Sequence, residues 1–159
     1  MIREESVIRA DLAKIELGQS CVVGKNSVIH PSLVSFPKGV AFLPLKIGSF
    51  VLIKQDCVVS SVSIGNHVYV GARSILVKKN PKKQLFRFAH KNSSFIFQNS
   101  FLKGKKSQIK DCSVIMEDSV ISEGTIVPSF TVWKGSPAKC VARLSPSFSF
   151  QFQSSFSTY

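Results

Sequence analysis

No apolar run of about 18 or more residues occurs in the 159-residue chain, so no membrane-spanning helix is expected. The opening Met1-Ile2-Arg3-Glu4-Glu5 lacks the basic-then-apolar order of a secretory leader. Cysteine is scarce and scattered. Cys21, Cys57, Cys112 and Cys140 contain no CxxC pair, which excludes a zinc ribbon or a thioredoxin motif and suits the reduced thiols of the cytosol. Acidic residues are few, 9 against 21 Lys and Arg, and the net charge is +12. Yet nine of the basic residues lie between residues 78 and 108, where there is no Asp or Glu; setting them aside leaves +3 for the rest. The basicity belongs to one segment. A folded nucleic-acid-binding face would spread its Lys and Arg over several ordered elements, so none is expected. Apolar residues at a sustained 3.6 spacing are also missing, which excludes amphipathic helices as the main architecture.

What the chain does have is a six-residue repeat. Aliphatic residues at a position i recur as Leu17, Val23, Ile29, then Ile47, Ile53, Val59, then Ile64, Val70, Leu76, then Ile109, Ile115, Ile121, Val127 and Trp133. Ile2 and Ile8 begin the pattern. Position i+1 is often Gly (Gly18, Gly24, Gly48, Gly65, Gly71), and position i+4 is small or β-branched (Cys21, Ser27, Val51, Cys57, Val68, Ser74, Ser113, Ser119, Thr125, Thr131). Such a step suits a short flat strand followed by a tight corner. Three strands close a triangular coil, and coils stack at about 4.8 Å through parallel hydrogen bonds. The aliphatic residue fills the triangle, a small residue at i+4 fits where a large one cannot, and Gly at i+1 is expected to supply corner φ/ψ freedom. The fold class is therefore all-β: a single-stranded left-handed parallel β-helix, with roughly sixteen hexads making about five coils.

The β-helix is expected over residues 2–139, with two interruptions and a tail. Residues 31–46 carry Pro37, Gly39 and Pro44 and read as a loop ejected from a corner. Its Phe36, Val40, Phe42 and Leu43 are more apolar than a free surface loop usually is. Either they fold back onto a flat face of the prism or they meet a partner. Residues 78–108 break the hexads, hold five of the thirteen phenylalanines, and read as an irregular basic protrusion. Residues 140–159 form a C-terminal tail whose alternating Phe residues suit either a strand or a flexible end.

Three histidines are candidate catalytic groups. His90 lies in the basic segment and His67 at an outward position of its hexad. His30 follows Ile29 at a corner, beside the first loop. With Arg9-Ala10-Asp11, Val28-Ile29-His30 and the run from Ile47 to Gly65, the chain resembles γ-class carbonic anhydrases. That resemblance implies three metal-binding histidines, of which His30 would be the first. The other two positions hold Gln55 and Ser60, which cannot replace imidazole in a three-ligand site. The stretch Trp133-Lys134-Gly135-Ser136-Pro137-Ala138-Lys139 is similar to the close of hexapeptide acyltransferases, implying a coil edge that holds an acyl-thioester cofactor. No loop histidine with a partner carboxylate accompanies it as a general base. No catalytic residue, cofactor or metal is assigned, and an enzyme of either kind stays as the alternative reading.

A broader resemblance covers residues 2–77 and 109–138. Ile8-Arg9-Ala10-Asp11-Leu12-Ala13, Cys21-Val22-Val23, Lys38-Gly39-Val40-Ala41-Phe42-Leu43-Pro44-Leu45 with Ile47-Gly48, Gln55-Asp56-Cys57-Val58-Val59, Ile109-Lys110-Asp111-Cys112 and Val127-Pro128-Ser129-Phe130-Thr131-Val132 are similar to the dynactin subunit 5 family. The Lys-Gly-Val-Ala-Phe loop is the most discriminating of these stretches. The resemblance implies a non-catalytic β-helix at the pointed end of the dynactin filament, in the cytoplasm and on the cytoskeleton. Its partners there would be a sister β-helix subunit, an actin-related protein, the large zinc-binding pointed-end subunit and cargo adaptors for dynein transport. Members of the family normally carry more β-helix before the position of Ile2. The first coil is therefore expected to be open, and unpaired strand edges at such an end favour docking. The partner-contact residues expected are Phe36, Lys38, Val40 and Phe42 of the loop and Phe130 and Trp133 of the last coil. For Trp133, plugging the core is the competing role.

Overall fold

Short aliphatic pairs separated by four-residue corners leave each strand only two or three residues long, so a strand is stabilised by the coils above and below it. The computed structural model describes residues 1–36, 39–61, 63–76 and 107–155. The first coil holds Val7–Ile8 (β1) and Ile15–Leu17 (β2), with Ile2 bridging to Val23 of the next. The second holds Val22–Val23 (β3) and Val28–Ile29 (β4), a hairpin of Ser32–Phe36 (β5) and Gly39–Leu43 (β6), and then Leu45–Ile47 (β7). The third holds Leu52–Ile53 (β8), Val58–Val59 (β9) and Ser63–Ile64 (β10). The fourth holds Tyr69–Val70 (β11), Ile75–Leu76 (β12) and Gln108–Ile109 (β13). The fifth holds Val114–Ile115 (β14), Val120–Ile121 (β15) and Ile126–Val127 (β16). Thr131–Gly135 (β17) begins a further turn, and Ala138–Arg143 (β18) folds back on it antiparallel.

Three parallel sheets follow, ordered β1-β4-β9-β12-β15, β2-β7-β10-β13-β16 and β3-β8-β11-β14-β17, the last extended by β18. This is the left-handed parallel β-helix expected from the hexads. Register stacks the i residues in three columns: Ile8-Ile29-Val59-Leu76-Ile121, Leu17-Ile47-Ile64-Ile109-Val127 and Val23-Ile53-Val70-Ile115-Trp133. From Val23 to Val127 every i residue is 2 % exposed or less, so these columns are the core. Leu17 and Ile2, in a coil stacked on one side only, remain 40 % and 55 % exposed.

Glycine at i+1 acts differently from the expectation. Gly18, Gly24, Gly48, Gly65 and Gly71 do not have the positive φ that only Gly tolerates well; among the glycines described, that region is occupied by Gly124 and Gly135. They are needed because coils touch there: a Cβ on Gly24 would lie 2.4 Å from the carbonyl carbon of Lys54. The left-handed turn falls at i+3 instead, on ten non-glycine residues from Glu5 to Phe130 with φ of 52–57°. Each costs about 1 kcal/mol or more in local strain. In return the turn aims the i+3 N–H at the i+2 carbonyl of the coil before. Phe50 reaches Gln19, Asp56 reaches Lys25, His67 reaches Ser49 and Arg73 reaches Gln55, all at 2.9–3.0 Å.

The small i+4 residues also bond between coils. The Ser27 and Ser74 hydroxyls donate to the i+1 carbonyls of Lys54 and Met116 at 2.9 Å, and the Cys21 and Cys57 thiols make the same contact to Gly48 and Gly71. Ser61, at i+2 after Val59 and fully buried, has no partner for its Oγ among the described residues. Ser74→Ala is therefore expected to cost about 1 kcal/mol, whereas Ser61→Ala should be neutral or stabilising by up to about 1 kcal/mol, since it removes a desolvated, unbonded hydroxyl. Urea denaturation of both variants checks the contrast; equal losses would contradict it.

Three boundaries shift. The interruption expected over residues 31–46 ends earlier, because Leu45 is fully buried and β7 pairs with β2. Residue 108, placed in the basic segment, belongs to β13, with Gln108 beside Ser63; the rest of that segment, to residue 106, lies outside the described residues. The region from 140 begins as strand, because β18 completes a ladder with β17. It then forms a helix, Phe148–Ser155 (α1), and not a strand. The alternating Phe residues include an i,i+4 pair, and the Phe148 and Phe152 rings stack at 5.3 Å.

Candidate functional site

The first coil corner at which the chain leaves the prism follows β4. Pro31 removes a backbone donor there, and the ladder restarts as an antiparallel hairpin running from Ser32↔Leu43 to Phe36↔Gly39. The hairpin root is anchored by the Ser32 hydroxyl, which donates to the Ser60 carbonyl. Phe42, opposite Leu33, is half-buried, as is Leu43. Phe36 and Val40 therefore lie on the two hairpin strands with Phe42; Lys38 falls outside the described residues.

A second surface is the corner that joins β2, β7, β10, β13 and β16 to the strands that follow. Stacking of the i+3 positions forms a column of Ser20, Phe50, His67, Cys112 and Phe130, all with φ of 52–57°. The Phe50 and His67 rings lie 5.1 Å apart and within 9° of parallel. Beneath them runs a ladder of i+2 side chains. Ser49 Oγ accepts from the Gln19 N–H at 3.1 Å, Asn66 Oδ1 from the Ser49 N–H at 2.8 Å and Asp111 Oδ1 from the Asn66 N–H at 2.7 Å. Phe130 is half-buried at the end of this column, and its carbonyl accepts from the Leu144 N–H at 2.7 Å. Phe50 and His67 were missed as a surface pair because i+3 residues 17 apart in sequence become neighbours only through coil stacking. The signal was present in the repeat register, where both occupy i+3.

Another corner carries charge. The Arg73 guanidinium donates to both carboxylate oxygens of Asp118 at 2.7 and 2.8 Å, holding that carboxyl below its usual range chiefly through these hydrogen bonds. The pair is exposed, so its effect is largely screened by solvent.

Trp133 is a plug. Its ring packs on the core cluster over Ile115, it is half-buried, and its Nε1 donates to Thr131 Oγ1 at 3.0 Å. The two residues expected together at this end thus differ: Phe130 is at the outer corner and Trp133 covers the core. His30 Nδ1 is 3.0 Å from the Pro31 carbonyl, Gln55 is exposed, and Ser60 is buried against the hairpin root. No group of three His, Cys, Asp or Glu side chains placed to hold a metal occurs among the described residues.

Comparison with known proteins places the chain in a family. The family described as dynactin subunit 5 matches residues 1–96, more than half of the chain. The chain belongs to the dynactin subunit 5 family. Dynactin subunit 5 of Dictyostelium discoideum is 35% identical over 66 residues, which are 42% of this chain and 33% of the relative. The match therefore spans about a third of that relative's length. A hexapeptide transferase family protein from Anaplasma phagocytophilum superposes with a TM-score of 0.69 at 23% identity, covering 99% of this chain and 72% of that one. AntD, an N-acyltransferase from Bacillus cereus, superposes with a TM-score of 0.56 at 10% identity over 99% and 86% of the two chains. At such identities the likeness is one of fold alone.

The outer faces of the prism differ from one another. Outward residues stack as Val7, Val28, Val58, Ile75 and Val120 on one sheet and as Glu16, Lys46, Ser63, Gln108 and Ile126 on another. The first stripe is wholly apolar and the second mostly polar. The i−1 position of the repeat encodes this difference.

Proposed function

We propose that this chain is a non-catalytic structural subunit of the dynactin pointed end that supports dynein-driven transport and helps dock cargo adaptors. The family match over residues 1–96, which contains the whole hairpin, carries this reading. The hairpin supports it as a contact element, because the sequence concentrates Phe36, Lys38, Val40 and Phe42 in this segment. Phe130 at the last corner supplies a second contact, and Trp133 holds the strand beside it. The partners are other dynactin subunits, namely the sister β-helix, an actin-related protein and the large zinc-binding subunit, together with adaptors. Its place is the cytoplasm, on the cytoskeleton. At the positions matching the carbonic anhydrase ligands, Gln55 and Ser60 in place of histidine favour a scaffold over a metal hydrolyase.

Affinity purification of the tagged chain from its own cell extract, read by mass spectrometry, tests the proposal. Recovery of an actin-related protein and further dynactin subunits is the expected result. Phe36→Ala with Phe42→Ala should reduce that recovery several-fold, with circular dichroism establishing that the variant is folded. Bait alone, running as a homotrimer with a bound thioester cofactor, would overturn the scaffold reading in favour of an acyltransferase.

A further inference from the structure

We propose that the outer edge of β18 accepts an extended, acidic peptide segment of a protein partner as an added strand. β18 ends its sheet: one edge pairs with β17, and no strand among the described residues pairs with the other. Lys139, Cys140, Val141, Ala142 and Arg143 are all exposed, Val141 by 58 %. Such an edge offers a row of backbone donors and acceptors for strand addition.

Charge selects the occupant. From residue 124 to residue 159 the charged side chains are Lys134, Lys139 and Arg143, with no Asp or Glu. All three are exposed, and none is in an ion pair among the described residues. Val141 has no counterpart in β17, because the register shifts between Val132 and Trp133 and leaves it as a bulge. Lysine and arginine on an edge, together with a bulge, oppose pairing between two copies of the same strand. The same charges attract glutamate or aspartate carboxylates on a foreign strand, and Val141 adds an apolar contact. The partner segment is therefore extended and acidic, with carboxylates on both faces, because the bulge puts Lys139 and Arg143 on opposite faces of β18, and with an apolar residue near Val141. This proposal is independent of the dynactin reading, since the test needs no other subunit.

The test is fluorescence anisotropy of the full chain with a labelled peptide that carries glutamates on both strand faces and a central valine. A second peptide carries the same sequence with alternate backbone amides N-methylated, which removes strand donors and keeps the charge. The first is expected to bind and the second to bind at least about tenfold more weakly, since strand addition rests on main-chain hydrogen bonds. Lys139→Glu with Arg143→Glu should weaken the first peptide about tenfold or more, and Lys139→Gln with Arg143→Gln by less. Circular dichroism establishes that each variant is folded, and the milder pair keeps the test available if charge reversal perturbs the strand. Equal binding of the methylated peptide would overturn the proposal, because charge alone would explain the affinity. Unchanged binding to both variant pairs would also overturn it, placing the peptide elsewhere, for example on the basic segment between residues 78 and 108. A wild-type dimer in sedimentation that the charge reversals alter and the peptide cannot displace would assign the edge to a second copy.

Discussion

Gly71→Ala is expected to lower stability by about 3 kcal/mol, at the upper end of what an extra methyl in a packed site costs. A Cβ at this position would lie 2.5 Å from the backbone nitrogen of Glu117, 2.7 Å from the carbonyl carbon of Met116 and 2.9 Å from the Glu117 Cα. All three are backbone atoms of the next coil, so no side chain can rotate away. Relief would require the coils to separate, yet Gly71 N–H donates to Ile115 at 2.8 Å and Tyr69 N–H to Ser113 at 3.0 Å. Gly135→Ala is the informative partner experiment. There the nearest atom is 3.6 Å away, but φ is +102°, so the penalty is conformational, about 1–2 kcal/mol. Chemical denaturation separates the two. A Gly71→Ala loss no larger than that of Gly135→Ala would mean that the coils are not in contact at i+1.

The second large effect concerns thiol reactivity. Cys57 is fully buried, and burial, with a smaller contribution from Asp56, pushes its pKa from an ordinary 9.0 up to about 11. At neutral pH its thiolate fraction is then about 100-fold below that of an ordinary thiol, and thiolate is the reactive form. Cys140 lies exposed on β18, open to a reagent in solvent. Under native conditions iodoacetamide should therefore modify Cys140 first and Cys57 more than about 100-fold more slowly, with the difference vanishing in denaturant. Peptide mapping over a time course measures both rates. Comparable native rates would contradict the buried placement of i+4. The sign of the pH dependence follows. A raised folded-state pKa keeps the neutral thiol's contribution intact below 9.0, and that contribution is lost as pH rises from there through about 11.

Both predictions rest on positions whose residue type was visible in the repeat but whose reason was not. Glycine at i+1 is the clearest case. The spacing showed that it recurs, and flexibility was the local explanation for it. The distance to the next coil, which supplies the actual cause, exists only after three corners have closed. The i+3 position shows the reverse. Asn26, Asp56, His67 and Asp118 are of types that tolerate a left-handed turn, but Phe50, Arg73, Cys112 and Phe130 carry no such mark. The turn is imposed on them by the hydrogen bond to the preceding coil.

The candidate site was legible in part. The hairpin residues stood out by composition, and Phe130 by its place in the repeat. Trp133 presented two roles that sequence alone left open, and its packing over Ile115 settles where the ring sits. The Phe50–His67 stack and the edge of β18 that pairs with no described strand were not visible, because each depends on which residues coil stacking and chain reversal bring side by side.

By itself, then, the sequence determined the architecture: hexad spacing of Ile, Val and Leu allows few arrangements that bury each of them, and a stacked triangular coil is the one in which small i+4 residues also fit. Tertiary structure alone decided why i+1 must be Gly, where the left-handed turns fall, and that β18 doubles back to leave a cationic edge. These depend on the distance between coils and on which strand lies last in its sheet. A local pattern of residue types carries no information about either.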